Sequence, residues 1–286
     1  MHLPTGSTRL AAVIGSPVRH SLSPLLHNTA FDHLGLDWVY LAFEVPDGAA
    51  ADALAAMRAL DIAGLSVTMP HKEAVADLCD DLSAEAQALR AVNCVVNDGG
   101  RLIGHNTDGD GFIASLADEL SLDPAGQRCV VLGAGGAARS IGLALARNGA
   151  SQVAIVNRTE ARAREVAALF PDLAMVVNPD DAASVIADSD LIINATSVGM
   201  GAALDDTGSA AFPFDPELIG SHHTVVDIVY RPLITPLLAQ ARIRGARTAN
   251  GVAMLTHQAA IAFSLWTGQT APIEAMSAAV STLLVD

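Results

Sequence analysis

Short runs of Val, Ile and Leu alternate with Ala-rich stretches of helical length almost from end to end of this 286-residue chain. A strand without polar alternation must be buried on both faces, and amphipathic helices are what cover them. The pattern is therefore that of βα units around mainly parallel sheets, an α/β fold. Candidate strands are Leu10–Ile14, Trp38–Val45, Ile62–Thr68, Asn93–Asn97 and Leu102–His105. A second series follows at Arg128–Gly133, Gln152–Asn157, Ala174–Val177, Leu191–Ala195 and Thr224–Val229. Between the series lie a helical stretch, Gly109–Leu120, and a polar turn broken by Asp123, Pro124 and Gly126. The length suits about two domains, each able to bury its own core. The C-terminal end reads as helical over Gly251–Gly268 and from Pro272 to Leu284.

Composition excludes several function classes. A net charge of −15 repels nucleic acid and anionic lipid, so an anionic ligand has to be held locally. Cys79, Cys94 and Cys129 have no C-x-x-C spacing and are odd in number, which argues against a disulfide framework or a zinc ribbon. No apolar run reaches the roughly 18 residues of a spanning helix, and the N-terminal residues lack the layout of a signal peptide; a cytoplasmic protein is expected. None of the nine histidines falls in H-E-x-x-H or paired ligand spacing, so no metal is assigned.

Among the sixteen basic residues Lys72 is the only lysine. Lys can release its proton in a suitable environment and Arg cannot, so a solitary Lys marks a place where guanidinium does not serve, or else an ordinary surface residue.

The segment Gly133-Ala134-Gly135-Gly136-Ala137-Ala138 follows a candidate strand and opens a helix, fitting G-x-G-x-x-A. Its glycines permit a tight turn and close approach of a pyrophosphate to the helix N-terminus. The next strand ends in Asn157-Arg158-Thr159-Glu160-Ala161-Arg162, where an NAD-binding domain places an acidic residue on the ribose. Arginine there matches a 2′-phosphate, so the expected cofactor is NADP. Thr159 is positioned to cap the following helix, with Arg162 beside Arg158; Arg164 reads as part of the solvated face.

Three polar clusters end first-domain strands, where open α/β sheets bind ligands. Ser21 and Ser23, near a helix start, suit a carboxylate. Ser66-Val67-Thr68-Met69-Pro70-His71-Lys72 carries the sole lysine. Asn93 is followed by Gly104-His105-Asn106-Thr107-Asp108-Gly109, and an Asp and a Lys brought together can share a proton with a substrate oxygen. Ser23 and Asp108 are equally readable as helix caps, which does not exclude the other role. Thr196 and Ser197 touch a cofactor or simply end a strand, His71 tunes Lys72 or is structural, and Cys94 reads as a small buried hydrophobe.

The set S-x-S-P-x-x-H-N at 21–28, V-T-x-P-H-K at 67–72, V-N at 92–93, N-T-D-G at 106–109, G-A-G-G-A at 133–137, N-R-T-x-x-R at 157–162, N-A-T-S at 194–197 and M-L-x-x-Q at 254–258 resembles the shikimate dehydrogenase family. The resemblance implies NADP-linked interconversion of 3-dehydroshikimate and shikimate, in the shikimate pathway to chorismate and the aromatic amino acids. It implies a substrate-binding domain of residues 1–108 and 250–286, with a Rossmann domain of 109–249 inserted and the last helices returning to the first domain. Lys72 and Asp108 match the catalytic pair, and Ser21 and Ser23 the carboxylate site. Thr68, Asn93 and Gln258 match residues on the ring hydroxyls. Tyr230, in Y-x-P-x-x-T-P, belongs at the substrate's edge. Gly133 to Ala137, Asn157, Arg158, Thr159, Arg162, Thr196, Gly251 and Met254 match cofactor positions. Two residues depart from the family pattern, Ala253 for Gly and Cys94 for Thr, and a methyl at Ala253 could crowd the nicotinamide. The implied partners are small molecules, with the protein a monomer or homodimer. The alternatives are a quinate or aminoshikimate dehydrogenase of the same family, or a non-catalytic NADP sensor, which would have no use for both Lys72 and Asp108.

Overall fold

The computed structural model describes residues 3–200, 212 and 214–285. The chain forms two compact units, one of residues 1–107 and 256–286, the other of residues 108–255.

In the first unit the elements run β1 (Arg9–Gly15), α1 (Ser23–His33), β2 (Trp38–Glu44), α2 (Ala50–Ala59), β3 (Gly64–Val67), α3 (Lys72–Leu78), β4 (Asp81–Leu82), α4 (Ala84–Leu89), β5 (Cys94–Asp98) and β6 (Arg101–His105). They build a sheet of order β2-β1-β3-β5-β6-β4. The pairs β1–β2, β1–β3 and β4–β6 are parallel, as the βα alternation predicts. The pairs β3–β5 and β5–β6 are antiparallel. For β5–β6 the reason is local: Asp98 pairs with Arg101 across Gly99 and Gly100, both at positive φ (58° and 93°). That two-residue turn reverses the chain and leaves no room for a crossover helix.

The second unit runs α5 (Asp108–Leu120), β7 (Arg128–Leu132), α6 (Gly136–Arg147), β8 (Gln152–Val156), α7 (Glu160–Ala167), β9 (Ala174–Val177), α8 (Ala182–Ala187), β10 (Leu191–Asn194), β11 (Thr224–Asp227), α9 (Pro236–Ile243) and β12 (Arg247–Ala249). Its sheet, of order β12-β11-β10-β7-β8-β9, is parallel throughout, the doubly wound arrangement of a Rossmann domain. Helix α10 (Gly251–Thr267) starts in this unit and ends in the first, and α11 (Ile273–Val285) packs on α1.

The core of the first unit holds a cluster of rings. His27 stacks on Tyr40 at 4.4 Å and lies 4.9 Å from Trp266, whose indole N–H donates to the Val95 carbonyl. Burial lowers the His27 imidazole to about 3, and among the described residues its Nδ1 has no hydrogen-bonding partner. In the unfolded chain it takes up a proton near 6.5, so its contribution to stability is complete above that pH and is lost as pH falls toward the folded value. Urea titrations at about pH 7 and pH 5 are expected to differ by about 2 kcal/mol through this residue. In His27→Leu that share of the difference should vanish; an identical acid dependence in both proteins would contradict it.

Candidate active site

Topology gathers the first unit's polar clusters at one sheet edge. The loop after β1 carries Ser21, and Thr68 follows β3, parallel to β1. Because β5 runs antiparallel to β3, its start lies at the end of β3, and the end of β6 returns to the same edge. Backbone bonds seal this edge: Ser16 N–H donates to Met69 O at 2.9 Å, Thr68 N–H to Ile14 O at 3.0 Å, Val67 N–H to Asn93 O at 2.8 Å and Asn93 N–H to His105 O at 3.0 Å.

Lys72 is the first residue of α3 and half-buried, and its carbonyl accepts from Val92 N–H at 2.9 Å. The adjacent His71 is buried, with its Nε2 2.8 Å from Val45 O, so it anchors the turn before the lysine. Asn93 is buried and faces Thr107: its amide donates to Thr107 Oγ1 at 3.0 Å, and its Oδ1 accepts the Thr107 N–H at 2.8 Å. Thr107 Oγ1 then donates to Gln258 O at 3.1 Å. Thr107 thus ties two expected substrate residues together, and nothing in the sequence reading singled it out within N-T-D-G.

Ser23 is the first residue of α1 rather than its cap; Leu22 takes that position without a side-chain capping bond, and Ser21 Oγ accepts the Ser23 N–H at 3.2 Å. Ser23 is buried and Ser21 half-buried. Asp108 lies in the first turn of α5 and is buried. Burial pushes the Cys94 thiol well up and that of Cys129 to about 12, so both behave as small hydrophobes. Among the described residues no group of His, Cys, Asp and Glu is gathered as a metal site, and no helix is long and apolar enough to cross a membrane.

In the second unit the Gly-rich turn joins β7 to α6. Gly133 has φ +104°, and a Cβ there would stand 3.1 Å from both Ala195 O and Thr196 Cγ2. Gly135 and Gly136 face open space, and no side chain caps the α6 N-terminus. Uncapped N–H groups beside an open approach fit a pyrophosphate. Arg158 and Arg162 are exposed and, among the described residues, have no carboxylate partner, whereas Arg164 pairs with Glu160. Two unneutralised guanidiniums next to the turn fit a 2′-phosphate. Thr159 holds the N-cap position of α7 without a capping bond, and the Asn157 amide donates to the Thr159 carbonyl at 2.9 Å. Tyr230 is half-buried after β11, and burial raises its phenol. Met254 is half-buried in the first turns of α10.

Three family models match the chain: the shikimate dehydrogenase substrate binding domain over residues 13–95, shikimate / quinate 5-dehydrogenase over 115–201, and the shikimate 5'-dehydrogenase C-terminal domain over 251–280. The shikimate dehydrogenase (NADP(+)) of Geobacter sulfurreducens is 43% identical, over 98% of this chain and 99% of its own length. A crystal structure of a shikimate dehydrogenase in complex with NADP+ superposes with a TM-score of 0.90 at 34% identity, covering 99% of this chain and 98% of the other. Shikimate 5-dehydrogenase from Listeria monocytogenes in complex with shikimate and NAD also gives 0.90, at 36% identity and 98% and 99% coverage.

Proposed function

Because the chain belongs to the shikimate dehydrogenase family, we propose that it reversibly reduces 3-dehydroshikimate to shikimate with NADP(H), Lys72 serving as general acid/base. The protein is an NADP-dependent oxidoreductase whose reaction is a step toward chorismate and the aromatic amino acids. The observation that carries the residue assignment is the position of the sole lysine at the sheet edge that also bears Ser21, Thr68 and Asn93.

When bound, NADP(H) would supply the hydride in reduction and NADP+ would take it up in oxidation. Lys72, as ammonium, gives a proton to the oxygen that develops charge at C3 in reduction and takes it back in oxidation. Asp108 accepts a ring hydroxyl of the substrate. Ser21 and Ser23 hold the carboxylate, while Thr68, Asn93 and Gln258 hold the ring hydroxyls and Tyr230 borders the ring. Gly133 to Ala137 would receive the pyrophosphate, and Arg158 and Arg162, with Asn157 and Thr159, would take the phosphorylated ribose; Thr196, Gly251 and Met254 would line the nicotinamide end. The three free cysteines and the absence of a membrane-crossing helix among the described residues suit a cytoplasmic enzyme acting on small molecules, as monomer or homodimer.

The test is to follow reduced nicotinamide absorbance with shikimate, quinate and aminoshikimate, each with NADP+ and NAD+. The highest kcat/KM is expected for shikimate with NADP+. Preference for quinate with NAD+ would reassign the substrate, and no turnover with any pair would leave a cofactor sensor.

A further inference from the structure

At the end of β11 a carboxylate is fully shut off from solvent: Asp227 is 0% exposed. Its Oδ1 accepts from the Asn194 amide at 3.0 Å and from Val229 N–H at 3.1 Å, and its Oδ2 accepts from the Thr235 hydroxyl at 2.7 Å. No cation is among these partners, and burial raises its carboxyl above the ordinary range. Burying such a group costs stability, and the three donated bonds offset that cost only while Asn194, Val229 and Thr235 are held in place around it.

The bonds leaving this carboxylate reach two segments that carry candidate cofactor residues, and packing extends them to a third. Asn194 Oδ1 accepts from the Thr196 hydroxyl at 2.6 Å and from Thr196 N–H at 3.1 Å, while its amide also donates to Val198 O at 3.1 Å. Thr196 Oγ1 in turn accepts from Val198 N–H at 3.1 Å, so the loop after β10 is shaped from within. The Thr196 methyl lies against Gly133, the first glycine of the pyrophosphate turn. On the other side, the bond to Val229 N–H fixes the turn after β11. Val229 O accepts the Gly251 N–H at 3.1 Å, and Ile228 O leaves no room for a Cβ on Gly251.

We infer that Asp227 is a positioning residue for the dinucleotide: through Asn194, Thr196 and Val229 it holds the β10 loop, the pyrophosphate turn and the start of α10 in the one arrangement that receives the cofactor. This rests on the second unit being the NADP site. Thr235 is the informative place to cut, because it is fully buried and, among the described residues, its hydroxyl bonds to Asp227 and to the α9 N-terminus, with Leu238 N–H donating to it.

Thr235→Val in the full-length protein is expected to weaken NADPH binding, read by nucleotide fluorescence, about three- to tenfold, with Thr235→Ser within about twofold of wild type. The KM for shikimate should stay within about twofold in both, since the loosened segments belong to the cofactor unit. Wild-type affinity in Thr235→Val, equal losses in Val and Ser, or a shikimate KM rising in step would each overturn the inference. If Thr235→Val does not melt cooperatively, Thr196→Val cuts the far end and keeps the methyl on Gly133; unchanged NADPH affinity there would overturn it equally. Wild-type protein without affinity for NADPH would instead overturn the assignment of the site itself.

Discussion

Lys72→Ala is expected to lower kcat by about 10²–10⁴-fold with a modest change in the KM for shikimate, the loss that follows when a positioned proton donor is removed. The residue is suited to that role by its surroundings. Its backbone is fixed by Val92 N–H on its own carbonyl and by the buried His71 before it, so the flexible stem starts from a set point. Lys72→Arg is the more discriminating variant: it keeps the positive charge and most of the reach, but a guanidinium does not give up its proton at accessible pH. If the ammonium served only to attract an anionic substrate, Arg would restore most of the rate and Ala would raise KM. If it transfers a proton, Arg and Ala should both lose kcat. Steady-state kinetics with shikimate and NADP+ decide this, and an unaffected kcat in Lys72→Ala would remove Lys72 from the chemistry.

What the sequence makes legible here depends on range. The Gly-rich turn and the Arg158 cluster are local patterns, readable because strand, turn and helix follow one another within a few residues. Lys72 is readable for another reason, that composition isolates it. Periodicity finds β5 and β6 but not that they run opposite to one another, which is set by the pair Gly99-Gly100 between them. The strands β4 and β12 span two and three residues, too few for any period to register. Asp227 escapes notice altogether, and Thr107 is visible only as one letter of N-T-D-G. Thr107 joins Gln258 across 151 residues, and Asp227 meets Asn194 across 33, so no window of neighbouring residues contains either relation. Capping is misread at α1: the helix begins one residue earlier than Ser23-Pro24 suggests, with Leu22 at the cap position and Ser21 Oγ accepting the Ser23 N–H.

Replacing both Arg158 and Arg162 by Ala is expected to raise the KM for NADP+ about 10- to 100-fold while leaving that for NAD+ nearly unchanged. The two cofactors differ by one phosphate, so the ratio of their KM values isolates what the arginines contribute. Each charge-assisted bond to a phosphate is worth about 1.5–3 kcal/mol, but both side chains are exposed, and water and salt reduce the total. The effect should therefore shrink as ionic strength rises in wild type and be nearly independent of it in the double variant. Arg164→Ala is the internal control: its guanidinium is engaged by Glu160, so it should leave the ratio where it was. A parallel rise in both KM values would mean that the arginines hold the loop rather than the phosphate, and the NADP preference would have to reside elsewhere in the second unit.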